Sequence, residues 1–196
     1  NAIDAAIACA LVQTVVDPQM CGIAGFGSMQ IFLCNEDKNL FLDFHGRAPL
    51  AAREDMWEEL IEAETEDGFG FILKGRVNDV GYGSITTPMS LQAYDTALKR
   101  YGTMTLSKLL EPAIDYAEEG FIVRPHVNYF WNQVEGAGRV PHIERITKIP
   151  ATRKIYVKAD GTVRKPGEVL KNIDLARTYK QIADKGIDDF YSGSIA

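Results

Sequence analysis

The chain has 196 residues, 46% hydrophobic and 24% charged, and its 27 acids against 21 bases leave a net charge of -6. That composition excludes collagen-like, disordered and coiled-coil chains, and the acidic balance argues against a nucleic-acid binder. The apolar stretch 5–16 is too short to span a bilayer, is interrupted by Gln13 and Thr14, and follows no basic segment.

In chain order, Ile3, Ala6, Ile7, Ala10 and Leu11 recur at spacings of three and four, one face of a helix. Asp17-Pro18 ends it, because the residue before proline is pushed out of the helical region. Gly22, Gly25 and Gly27 turn into a predicted strand over 28–34, where Met29, Ile31 and Leu33 alternate with Gln30, Phe32 and Cys34. The polar run 35–39 is a turn, and 40–44 is the returning strand of a hairpin. The loop His45-Gly46-Arg47-Ala48-Pro49 leads to a predicted acidic helix over 53–64.

Thr87-Pro88 reads as an N-cap with proline at the first helical position, followed by the stripe Leu91, Tyr94, Leu98 and Tyr101 and a stop at Gly102. Thr105 caps the next helix, with Leu106, Leu109, Leu110, Ala113, Ile114 and Ala117 inward and Gly120 closing it. Pro112 is expected to kink or split that helix. A small hairpin is expected from 154–157 and the turn Lys158-Ala159-Asp160-Gly161. A last helix over 174–185 turns Leu175, Tyr179 and Ile182 inward before Gly186. The fold class is α+β with a largely helical second half. The sequence opens inside a helical pattern and stops at Ser192-Gly193-Ser194-Ile195-Ala196, where an element is starting, so 1–196 reads as a single-domain fragment or processed subunit.

Single residues offer little complete chemistry. Met20-Cys21-Gly22-Ile23-Ala24-Gly25-Phe26 is similar to the amino terminus of class II glutamine amidotransferases, whose cysteine is residue one and whose α-amine is the base. Cys21 is internal here, and a buried structural cysteine is the simpler reading. Cys9, Cys21 and Cys34 are expected to be unpaired, with Cys9 and Cys34 tightly packed. The glycines of 22–27 precede a strand, so they lack the helix N-terminus that a phosphate cradle needs. His45, His126 and His142 share no metal-ligand spacing, and no metal or cofactor is implied. No serine sits in a nucleophile elbow.

As ordered segments, the chain resembles the large subunit of the γ-glutamyltranspeptidase family. The similar segments are Asn1-Ala2-Ile3-Asp4-Ala5-Ala6, Asp17-Pro18, the turn 22–26, Asp43-Phe44 through Ala48-Pro49, and Asp55-Met56. Further along they are Tyr101-Gly102-Thr103-Met104, Leu110-Glu111-Pro112-Ala113-Ile114, Glu119-Gly120-Phe121, 167–170, Asp174-Leu175-Ala176 and the 190–196 terminus. Each is weak alone, and their colinearity carries the resemblance.

The resemblance implies a four-layer αββα N-terminal-nucleophile hydrolase that cuts itself, freeing a threonine that attacks a γ-glutamyl or other acyl amide. That threonine would begin a small subunit outside this chain, so no catalytic residue is assigned within it. The family works in glutathione metabolism, and the resemblance implies a periplasmic or extracellular protein with no membrane span here. Where the family places an arginine for the substrate carboxylate, His45 stands, and Arg47 lies two residues on. Arg47 and His45 are therefore the expected substrate-binding residues, in a Gly-Arg-Ala-Pro form that acylase-like relatives resemble. The rivals are a catalytically silent homologue that binds amino-acid amides, and the amidotransferase-like glutaminase with Cys21 as mature N-terminus.

Overall fold

The computed structural model describes residues 1–134 and 136–196. The elements begin with helix α1 (Ala2–Val16), the strands β1 (Gly27–Leu33) and β2 (Lys38–Phe44), and the strands β3 (Ile61–Glu64) and β4 (Phe71–Leu73). Helices α2 (Ser90–Tyr101) and α3 (Leu106–Glu119), strand β5 (Phe121–Ile122) and helices α4 (Pro125–Asn132), α5 (His142–Lys148) and α6 (Pro150–Tyr156) follow. Strand β6 (Val169–Leu170) and helices α7 (Ile173–Lys185) and α8 (Asp188–Ser192) complete them. The strands form three antiparallel or short two-stranded ladders, β1-β2, β3-β4 and β5-β6, giving a mixed α+β chain. No helix among the described residues is long and apolar enough to cross a membrane.

The chain divides into two compact units. The first comprises Asn1–Arg47, Thr87–Phe121 and Lys171–Ala196. Its core is a helical layer in which α3 packs against both α1 and α7. Ile7 and Leu11 of α1, Leu110 and Ala113 of α3, and Ala176 and Tyr179 of α7 are completely buried. Asn1 caps α1, accepting from the amides of Ile3 (2.9 Å) and Asp4 (3.2 Å). Asp4 is itself buried, and its carboxylate accepts from the Asn1 amino group (2.9 Å), the Thr103 hydroxyl (2.6 Å) and the amides of Thr103 (2.9 Å) and Met104 (3.1 Å). One carboxylate thus ties the start of α1 to the α2–α3 connection.

Hairpin register runs from Gly27 opposite Phe44 to Leu33 opposite Lys38. Ile31 and Phe44 are buried on its inner face, while Phe32 (57%) and Phe41 (67%) stand exposed on the outer one. Period-two alternation puts them there.

The second unit comprises Ala48–Thr86 and Ile122–Leu170. Strands β3 and β4 pair Ile61 with Leu73 and Glu64 with Phe71. Ion pairs join Arg139 to Asp67 (2.7 Å) and Arg145 to Asp79 (3.2 Å), and Trp131 of α4 lies buried, edge-on to Tyr156 of α6 at 5.7 Å.

Several expectations are corrected. Residues 53–64 are not a helix: a 3-10 turn at Glu58–Leu60 runs into β3. A helix there would stack Glu54 on Glu58, Asp55 on Glu59 and Glu58 on Glu62, all repulsive. Residues 154–156 belong to α6, started by Pro150 at its first turn, and only a single bridge from Val157 to Val163 remains of the hairpin. Helix α3 runs unsplit through Pro112, which lies on its exposed side while Leu109, Leu110, Ala113, Ile114 and Ala117 hold the buried stripe together. Helix α2 begins at Ser90 rather than after Thr87, because the Thr87 backbone is held extended by a bridge to Arg47. Cys9 and Cys34 are exposed instead of packed, and all three cysteines are free thiols. The caps at Thr105, Gly102, Gly120 and Gly186 form as expected.

Candidate substrate-binding site

The site is built where β2 ends. Phe44 is buried, lies edge-on to Tyr94 of α2 (6.1 Å, 72°), and comes so close to Gly27 that a Cβ there would sit 3.1 Å from its ring. That packing fixes the point at which His45-Gly46-Arg47 leaves the sheet. The far end is pinned too: the Thr87 amide donates to the Arg47 carbonyl (2.8 Å), and the Arg47 amide donates back (3.4 Å). Beside it, the Gly25 carbonyl accepts from the amides of Met89 and Ser90, each at 3.1 Å, at the start of α2. Any Cβ on Gly25 would meet the Gly22 carbonyl oxygen at 2.8 Å, so the turn requires glycine there.

The first predicted residue, His45, has a partner that the sequence reading did not assign. Its ring Nδ1 lies 2.8 Å from Asp43 Oδ1, and its backbone amide donates to the same oxygen at 3.0 Å. These donors hold the Asp43 carboxyl below the usual carboxylate range, the backbone N–H contributing most. The Phe26 ring stands 5.7 Å from the imidazole, tilted 36°. Aspartate and histidine side chains are 65% and 64% exposed. The spacing of Asp43 and His45, two residues apart across the end of β2, is the signal the sequence offers.

The second, Arg47, is exposed. Among the described residues no carboxylate lies within ion-pair distance of its guanidinium, and Asp43 is engaged by His45. Among the described residues its side chain has no hydrogen-bond or ion-pair partner, so the group is available for an anion. Both residues lie on one short segment of the first unit.

Cys21 has a different environment. The half-buried thiol donates to the Asp17 carbonyl (3.2 Å), and burial, reinforced by the Asp17 charge, pushes it up to about 11. A nucleophilic cysteine needs the opposite shift. It is the environment of an internal cysteine, whereas the glutaminase rival requires Cys21 to be freed from Asp17 as the amino terminus.

The sequence model of the gamma-glutamyltranspeptidase family matches residues 1–196. The chain belongs to the γ-glutamyltranspeptidase family. Among relatives, a glutathione hydrolase proenzyme of Pseudomonas sp. (strain A14) is 34% identical over 197 residues, covering all of this chain and 31% of the relative. An acylase ACY 1 proenzyme of Pseudomonas sp. (strain SE83) is 33% identical over 196 residues, covering all of this chain and 33% of the relative. The crystal structure of Helicobacter pylori gamma-glutamyltranspeptidase superimposes with a TM-score of 0.84 at 31% identity, across all of this chain and 51% of that one. This member of the γ-glutamyltranspeptidase family therefore spans about a third of the length of those curated relatives.

Proposed function

We propose that this chain is the large-subunit part of a γ-glutamyltranspeptidase-like amide hydrolase or acyltransferase with an αββα N-terminal-nucleophile fold. Its nucleophilic threonine lies outside these 196 residues, at the amino terminus of a small subunit freed by self-cleavage. The threonine hydroxyl attacks the amide carbonyl while its α-amine takes the hydroxyl proton. Backbone amides stabilise the oxyanion, and collapse expels the amine with that proton. Water or an acceptor amine then releases the acyl group from the enzyme. Arg47 and His45 bind the acyl donor.

The observation that carries this reading is the colinear family match over residues 1–196, joined to an arginine just beyond β2, bridged to Thr87 and without an ion-pair partner among the described residues. That relatives are named proenzymes supports processing. The replacement of the family's arginine by His45, with Arg47 two residues on, favours an acylase-like donor range as a second reading.

The test is expression of the complete gene, with mass spectrometry of the products and assay with γ-glutamyl p-nitroanilide. Expected is cleavage before a threonine together with turnover. An uncleaved, inactive protein that still binds γ-glutamyl amides would establish the silent homologue instead.

A further inference from the structure

The loop that follows β4 is firmly held, yet it leaves one polar atom unmatched. Arg76, with its backbone in the left-handed region (φ 57°), donates to the Gly138 carbonyl at 2.5 Å. Asp79 accepts from the Val140 amide (3.3 Å) and pairs with Arg145 (3.2 Å). Between those two anchors, Asn78 donates through Nδ2 to the Phe71 carbonyl at 2.8 Å, which settles the orientation of its amide. Its Oδ1 is buried and has no hydrogen-bond partner among the described residues. Buried acceptors are nearly always satisfied, so one fixed in a rigid wall points to a donor from outside.

Asn78, Met56 and Trp57 line two cavities, of about 550 Å³ and 580 Å³, each the size of a small-molecule site. Trp57, Ile61 and Phe71 give the second cavity apolar surface, and Glu54 and Glu58 stand on it as exposed carboxylates. Among the described residues neither glutamate has an ion-pair partner, while Arg53 is engaged by Asp55 at 3.3 Å. A buried acceptor, aromatic surface and an acidic rim match a cation with N–H donors and a flat apolar body.

We propose that this cavity binds a small arylalkylammonium ion. Its ring packs on Trp57 and Phe71, one ammonium N–H is donated to Asn78 Oδ1, and Glu54 and Glu58 supply the opposite charge. Met56, unbranched and adaptable, is the side chain that moves aside to let the N–H reach Asn78. All of these residues belong to the second unit, and the inference holds whether or not the chain serves an amidase.

The test is calorimetric titration of the complete protein with 2-phenylethylamine, 2-phenylethanol (the ring without the charge) and butylamine (the charge without the ring). The phenylethylamine is expected to bind most tightly. Asn78→Leu should weaken it about tenfold, the worth of a hydrogen bond to a charged group. Glu54→Gln combined with Glu58→Gln should weaken it only about threefold, because exposed charges are screened. That double variant should bind 2-phenylethanol as wild type does, which shows the cavity intact. Equal binding of all three probes, or of none, overturns the site. So does an unchanged phenylethylamine affinity in the double glutamine variant, which decides the matter even if Asn78→Leu does not fold.

Discussion

The hydroxyl of Thr14 on α1 meets the hydroxyl of Tyr179 on α7 in the interior, across 165 residues of chain. Thr14 also donates to the Leu11 carbonyl at 2.6 Å, and Tyr179 is wholly buried. The pair is a polar pin through an apolar helical layer, so it sets the rotation of one helix against another as well as adding a bond.

Tyr179→Phe keeps the ring and removes the pin. It is expected to cost about 1 kcal/mol, a typical net hydrogen-bond contribution, whereas Tyr179→Ala should cost about 3–5 kcal/mol through the cavity it leaves. Urea unfolding of the complete protein measures both. A Phe variant as stable as wild type would mean that the hydroxyl contact adds nothing.

Asp4 makes stability depend on pH. Its carboxyl is held well below the usual carboxylate range, first by the hydrogen bond from the Asn1 nitrogen, then by the Thr103 hydroxyl, with the Thr103 and Met104 amides adding to this against the cost of burial. A folded-state value below the unfolded one contributes stability that is complete above the unfolded value, about 3.9, and is lost as pH falls through the folded one. Asp4→Asn should therefore be less stable than wild type at neutral pH, with the gap closing below about pH 4. Urea midpoints measured from pH 7 down to pH 3 should converge; parallel curves would remove Asp4 from the acid response.

Arg47→Ala is expected to raise KM for donors bearing an α-carboxylate by roughly 1.5–3 kcal/mol, the worth of a charge-assisted bond. A 4-aminobutyryl anilide, which has the ammonium without the carboxylate, should be affected far less. The ordinary structural alternative is a pair with Asp43 or Glu54; among the described residues Asp43 pairs with His45, and no ion pair joins Arg47 to Glu54. An equal loss for both donors would nevertheless return Arg47 to a structural role.

Cys21 should be chemically quiet. With a thiol at about 11, only about one molecule in a thousand is thiolate at pH 8. Iodoacetamide should label it far more slowly than an ordinary exposed cysteine, and Cys21→Ser should leave turnover intact. Rapid labelling of Cys21, with loss of activity, would revive the glutaminase reading.

What the sequence made legible follows from the range of the forces involved. Helices α1, α3 and α7 were readable because their buried residues repeat at the helical period and their ends carry local signals such as Thr105 and Gly186. The hairpin was readable from alternation alone. The start of α2 was misplaced because Thr87-Pro88 carries a local cap signal that a distant bridge to Arg47 overrides. The acidic stretch 53–64 showed helical composition, yet its like-charge spacings and the partner strand β4 decided the outcome. At the site, His45 and Arg47 are legible in the chain, but whether Asp43 engages His45 or Arg47 depends on the path of the loop after β2, which no local pattern sets.

The interleaving of the two units sets the order of folding. The first unit takes its three segments from the beginning, middle and end of the chain. During synthesis α1 emerges first, yet α3 stays without the cover of α7 until residue 185 has left the ribosome. Contacts of such long sequence separation carry a large loop-closure cost and slow folding. The apolar faces of α1 and α3 must therefore be shielded while the chain is unfinished, and a nascent chain stalled anywhere between them and α7 is a substrate for chaperones rather than a folding domain.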